Sequence, residues 1–66
     1  MKFDYQAFEQ FLKELKKLKV IDNWKRFGPG HYRIDYEIDV WPKSKKFHNI
    51  VEEKWGTYKS VVQLFL

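Results

Sequence analysis

Trp41, Lys43, Lys45, Lys46 and His48 set one indole among four side chains that carry, or can carry, positive charge. Lysines neutralise phosphates, and an exposed indole can stack on a base for about 1–3 kcal/mol. Lys25, Arg26 and Arg33 can extend the same surface. The grouping fits a nucleic-acid contact made by a basic, aromatic hairpin tip. A second reading stays open beside it: the indole folds over a sheet edge, and the lysines only keep a turn in solution.

Asp35, Glu37 and Asp39 alternate with apolar residues, and His48 can stand across from Asp39. Carboxylates with a histidine can hold a divalent ion for hydrolysis. Alternating acids are also how an exposed strand stays soluble, and no second acidic cluster or positioned base accompanies these three. No metal is assigned. Ser44 and Ser60 lie in no nucleophile motif, cysteine is absent, and His31 and His48 have no identifiable orienting partner. The expectation is a non-enzymatic protein without cofactor. Three acids on one strand face would repel phosphates, so a nucleic-acid contact is expected at the hairpin tip and not across the sheet.

The elements that must position these residues follow from periodicity. Tyr32, Ile34, Tyr36, Ile38 and Val40 fall on every second residue, with Arg33, Asp35, Glu37, Asp39 and Trp41 between them, which predicts one strand over His31–Trp41 with a buried and a wet face. Pro42 removes a backbone donor and ends it. After Lys43–Lys45 the chain returns with Trp41 opposite Lys46, Val40 opposite Phe47, Asp39 opposite His48, Ile38 opposite Asn49 and Tyr36 opposite Val51. In that register Phe47 and Val51 join the buried face. Gly28, Pro29 and Gly30 mark a turn, so Trp24–Phe27 reads as a first strand, with a short helical turn as the alternative. Two glycines around a proline lack the donors and the following helix of a phosphate-binding loop.

Before the sheet, Asp4 can cap a helix whose Phe3 staples onto Phe8. Tyr5, Phe8, Phe11, Leu12, Leu15 and Leu18 form its apolar stripe, and Glu9 is placed to pair with Lys13. Lysines from Lys13 to Lys19 read as a solvated, dipole-matched face. After the sheet, Glu52–Lys54 are expected to leave it, Gly56 to bend, and Thr57 to cap a closing helix with Val61, Val62, Leu64, Phe65 and Leu66 apolar. That tail either packs beside the first helix or offers a homodimer contact.

Sixty-six residues suffice for a single small domain, residues 1–66. Thirteen aromatic residues give so short a chain a way to bury area on few rotatable bonds. A formal charge of +4 favours a polyanion or an acidic protein surface. The absence of cysteine excludes a disulfide framework and thiolate metal sites and fits a reducing compartment. With no signal-peptide core and no bilayer-length apolar run, the expected location is cytoplasmic, with no membrane partner.

Tyr36-Glu37-Ile38-Asp39-Val40-Trp41-Pro42, then Lys46 and Phe47, then Gly56 and an apolar tail, resembles short uncharacterised bacteriophage proteins. Those proteins have a strand, a Trp-Pro or Tyr-Pro turn, a Lys-aromatic pair and a glycine before a final amphipathic segment. The likeness covers the C-terminal half, and this chain has Lys43, Ser44 and Lys45 where their turn carries Thr and Gly. The resemblance implies a phage source, a host-cell location and a small accessory or host-directed role, and carries over no catalytic residue.

The sequence therefore predicts an α+β fold with an N-terminal amphipathic helix, an antiparallel sheet of two or three strands and a short C-terminal helix. The expected activity is binding to nucleic acid. The alternative is a phage inhibitor or adaptor docking on a host defence, replication or transcription protein.

Overall fold

The computed structural model describes residues 2–65. Helix α1 (Tyr5–Lys17) is followed by β1 (Trp24–Gly28), β2 (His31–Ile34), β3 (Ile38–Trp41), β4 (Lys46–Asn49) and β5 (Lys54–Thr57), then by a single 3-10 turn over Val61–Phe65. The strands form one antiparallel sheet in chain order, β1-β2-β3-β4-β5. The α+β class stands, with five strands instead of two or three and a 3-10 turn instead of a closing helix.

Asp4 caps α1 by accepting the Ala7 N–H at 3.0 Å, and the Phe3 ring meets Phe8 edge-on at 6.1 Å, the staple that fixes how the chain enters the helix. At the other end Val20 N–H bonds Leu15 O at 2.9 Å and Lys19 N–H bonds Lys16 O at 3.1 Å, with Lys19 left-handed (φ 61°). This is a Schellman closure with lysine where glycine is usual. It makes Leu18 the cap residue and leaves it exposed, so the apolar stripe ends one turn early. Glu9 does not serve Lys13. Its carboxylate accepts the Tyr32 hydroxyl at 2.7 Å and lies 3.9 Å from Arg26 Nη1, tying the helix to the sheet beneath.

Leu12 and Leu15 pack with Ile21, Tyr32, Ile34, Ile38, Val40 and Val61 in one buried cluster. The predicted alternation holds at Tyr32, Ile34, Ile38 and Val40, which are all buried, but it does not belong to one strand. Asp35 and Tyr36 both take positive φ (54° and 61°), and Glu37 N–H closes a tight turn on Ile34 O at 3.2 Å. Asp35 fits this corner because its Oδ1 accepts the N–H groups of Asp22 and Asn23 at 2.7 and 2.9 Å. Since Ile34 pairs with Ile38, the three residues between them keep the side-chain alternation in phase across the reversal. Tyr36 leaves the expected buried face and is 76% exposed.

Trp41 faces Lys46, Val40 faces Phe47, Asp39 faces His48 and Ile38 faces Asn49, the register expected from the sequence. Its extension to Tyr36 and Val51 fails, because both lie in turns and are exposed. Glu52 and Glu53 leave the sheet as expected, but only for a tight turn, and Lys54 re-enters it as the first residue of β5. Asn49 Oδ1 accepts the Glu52 N–H at 2.9 Å and turns the chain back, so that Lys54–Thr57 pair along β4. Gly56 is a strand residue: a Cβ there would stand 2.8 Å from the Phe47 ring, which lies over it. Thr57 ends β5 and caps nothing. Gln63 Oε1 accepts from Lys59 and Ser60, and Val61 is buried with Val62, Leu64 and Phe65 packed on the same core. The tail from Val61 to Phe65 covers its own domain, and Leu66 lies outside the described residues.

Candidate functional site

The helix covers one side of the sheet, and alternation sends the other residues to the opposite face. Register lines up Lys25, Arg33, Asp39, His48 and Trp55 in one row across all five strands. A second row runs from His31 through Trp41 and Lys46 to Thr57. Phe27, two residues from Lys25 and beside the register shift between Arg26 and Gly28, lies on the same face, where its ring is 4.2 Å from the Arg33 guanidinium and 5.9 Å from His31.

Cross-strand neighbours about 5 Å apart are close enough for rings to stack, as His31 with Trp41 and His48 with Trp55 do, while Trp41 and Trp55 reach each other over the intervening β4. His31 and Trp41 stack at 4.6 Å and 9°, Trp41 and Trp55 at 5.7 Å and 20°, and Trp55 and His48 at 4.1 Å and 9°. Phe27, His31, Trp41, Trp55 and His48 therefore make a continuous row of rings from the β1 side to the β5 edge. Trp55 is 67% and Phe27 47% exposed, so the row meets solvent at the β5 edge and at the β1 side.

Asp39 is the one acid in this field, and it is 6% exposed. Arg33 grips it through Nε at 2.7 Å and Nη2 at 3.2 Å, and His31 Nε2 stands 3.4 Å away without hydrogen-bond alignment. Burial pushes the Asp39 carboxyl up. The Arg33 hydrogen bonds and charge, helped by His31, more than reverse this and hold it below the ordinary carboxylate value. Asp39 in turn raises Arg33. The acid is thus spent inside the face, while Lys25 and Lys46 remain exposed on it.

Beside Phe27 the face drops into an open cleft of about 440 Å³ lined by Asn23, Trp24, Lys25, Phe27, Arg33, Asp35 and Tyr36. Its polar atoms are partly committed. Asn23 Nδ2 donates to the Tyr36 hydroxyl at 2.7 Å, Asp35 Oδ1 takes two backbone N–H groups, and Arg33 faces Asp39 through Nε and Nη2.

Of the residues singled out in the sequence, Trp41, Lys46, His48, Lys25 and Arg33 share this face. Arg26 does not: it pairs opposite the buried Tyr32 on the helix side and reaches Glu9. Lys43 and Lys45 sit exposed in the turn after Trp41, where the Lys45 side chain borders the Phe8 and Phe11 groove on the helix side. Asp35 and Glu37 lie in the turn between β2 and β3, with Asp35 at the cleft, and Asp39 is held inside the wet face by Arg33, so the three acids do not form one row along a strand. Among the described residues no group of three His, Asp or Glu side chains is arranged to hold a metal ion. Sequence reasoning missed Phe27, His31 and Trp55 as members of the row. Carrying the β4 alternation one strand further, with Trp55 opposite His48, would have found the most exposed of them. Comparison with known protein families, curated proteins and solved structures finds no match to this chain.

Proposed function

We propose that this domain binds single-stranded nucleic acid across the open face of its sheet, as a non-enzymatic accessory module. The observation that carries the reading is the pair of rings that the row leaves open to solvent, Trp55 at 67% and Phe27 at 47% exposure, with Lys25, Arg33 and Lys46 on the same face. Aromatic rings on a sheet or groove stack on bases of any sequence, and cations alongside neutralise the phosphates between them. Duplex is the poorer ligand, because its base faces are already stacked on one another. Lys43 at the turn after Trp41 adds a cation at the margin, so the tip contributes but does not carry the site.

The net charge of +4 favours the same class of partner. Among the described residues no helix is long and apolar enough to cross a membrane. Tryptophan fluorescence titrated with a single-stranded oligonucleotide and with its duplex, at several salt concentrations, tests the reading. Quenching that favours the single strand is expected, with log K falling against log salt at a slope of about −2 for three neutralised phosphates. Absence of salt-dependent binding would remove it. The exposed rings would then be better explained by the rival reading, a contact surface for a host protein.

A further inference from the structure

The cleft at the β1 end of the ring row has its own chemistry. Along β1 and β2 the order is Phe27 first, the Lys25–Arg33 pair next, and Asn23 and Asp35 beyond, with Tyr36 at the far rim. At about 440 Å³ its size falls within the range of small-ligand sites. After the internal hydrogen bonds are counted, several groups at the cleft stay open among the described residues. Arg33 Nη1 and Lys25 Nζ are donors without a hydrogen-bonded partner, Asp35 Oδ2 is an acceptor without a donor, and the Tyr36 hydroxyl still has its own proton to give. Two cations lie between an aromatic ring and an acceptor-bearing rim.

We propose that this cleft is a nucleotide subsite selecting bases with an exocyclic amine: the phosphate of one nucleotide lies on Lys25 and Arg33 Nη1, and its base points to the far rim, where its amino group donates to Asp35 Oδ2. The inference rests on the nucleic-acid reading above and adds base preference to it. Cytosine carries an amino donor where uracil and thymine carry a carbonyl oxygen, and adenine and guanine carry amino donors of their own, guanine's on the minor-groove side. A carboxylate oxygen with no other partner accepts from an amino group and repels a carbonyl oxygen, so uracil and thymine have only the ring N–H between their two carbonyls to offer it. One hydrogen bond to a charged group, at its low end, corresponds to roughly tenfold in affinity. The ring row supplies stacking of any base, and the cleft supplies the discrimination the row lacks.

The test is a backbone amide chemical-shift titration of the full chain with GMP, AMP, CMP and UMP in turn, with inorganic phosphate as the charge control. Shifts at residues 23–27 and 33–36, with UMP roughly tenfold weaker than the other three, are expected. Asp35→Asn keeps the Oδ1 acceptor for the Asp22 and Asn23 N–H groups and turns the other arm into a donor, so the preference should swing towards UMP. Lys25→Ala, an exposed change, should weaken all four nucleotides alike. Shifts confined to Trp41, His48 and Trp55, equal affinity for UMP, an Asp35→Asn variant with unchanged preference, or inorganic phosphate binding as well as the nucleotides would each overturn the subsite. An oligonucleotide that still binds the ring row in those cases leaves the broader reading standing. Loss of oligonucleotide binding altogether removes both.

Discussion

Replacing Asp39 by asparagine keeps the size of the side chain and removes the charge that Arg33 and His31 face. Asp39 is the buried partner of the pair, with 8% of its side chain exposed, while the Arg33 side chain keeps 33%. Breaking a fully buried pair costs about 3–5 kcal/mol, and an exposed pair is worth about 1 kcal/mol at most. Arg33 can turn partly to water and the amide can still accept one of its bonds, so the loss expected at pH 7 is about 2 kcal/mol, between those limits. A chain of this length is held by roughly 3–10 kcal/mol in all, so the change is large but leaves a folded protein to measure. The pH dependence separates charge from packing. Because the folded-state pKa of Asp39 lies below the unfolded one, its contribution is complete above about pH 4 and is lost as pH falls through the folded value. Urea unfolding followed by tryptophan fluorescence should therefore show a wide gap between wild type and Asp39→Asn at pH 7 that closes towards pH 2. A gap under 0.5 kcal/mol at pH 7, or one of equal size at both pH values, would refute the ion-pair explanation and point to packing alone.

Lys19→Gly should stabilise the domain by about 0.5–1 kcal/mol, because the left-handed conformation that closes α1 costs a lysine energy that glycine does not spend; a fall in the thermal midpoint would contradict this. In alkali, burial first, joined at Tyr32 by the hydrogen bond to Glu9, pushes Tyr32 and Tyr58 up to about 12. Their folded-state values exceed the unfolded one, so the stability they contribute is full below about pH 10 and lost as pH rises towards 12. Phenolate absorbance should show two of the four tyrosines ionising only as near-ultraviolet dichroism collapses, and early ionisation of all four in a folded chain would count against the buried hydroxyls.

Much of the fold was readable because local signals agreed. Asp4 and Phe3 announced the helix start, the Gly-Pro-Gly turn announced the first hairpin, and the phase between Ile38–Trp41 and Lys46–Asn49 set the register residue by residue. The Asp35–Tyr36 reversal was invisible because a three-residue connection that pairs Ile34 with Ile38 leaves the alternation unbroken. Only the ability of Asp35 to accept two backbone N–H groups, a contact twelve and thirteen residues away, marks it as a corner. Strand β5 was hidden for another reason: its inward position is Gly56, whose apolar cover comes from Phe47 on β4, so Lys54–Thr57 shows no hydrophobic alternation of its own. Missing β5 concealed Trp55, the ring that joins Trp41 to His48. Five of the eight predicted contact residues nevertheless share the open face, because alternation on β1 to β4 places them there whichever way the turns are made.

The most direct measurement of the sheet-face reading compares oligonucleotide affinity in Trp55→Ala with that in a Lys43→Ala, Lys45→Ala double variant. Trp55 is largely exposed but stacks on Trp41 and His48, so its loss should cost about 1–2 kcal/mol and leave a folded domain, while weakening single-strand binding by about 5- to 150-fold, the worth of one stacked base. The turn variant should lose no more than the salt-sensitive share of two cations. The reverse order, with Trp55→Ala binding as wild type and the turn variant inert, would contradict the reading and return the contact to the hairpin tip.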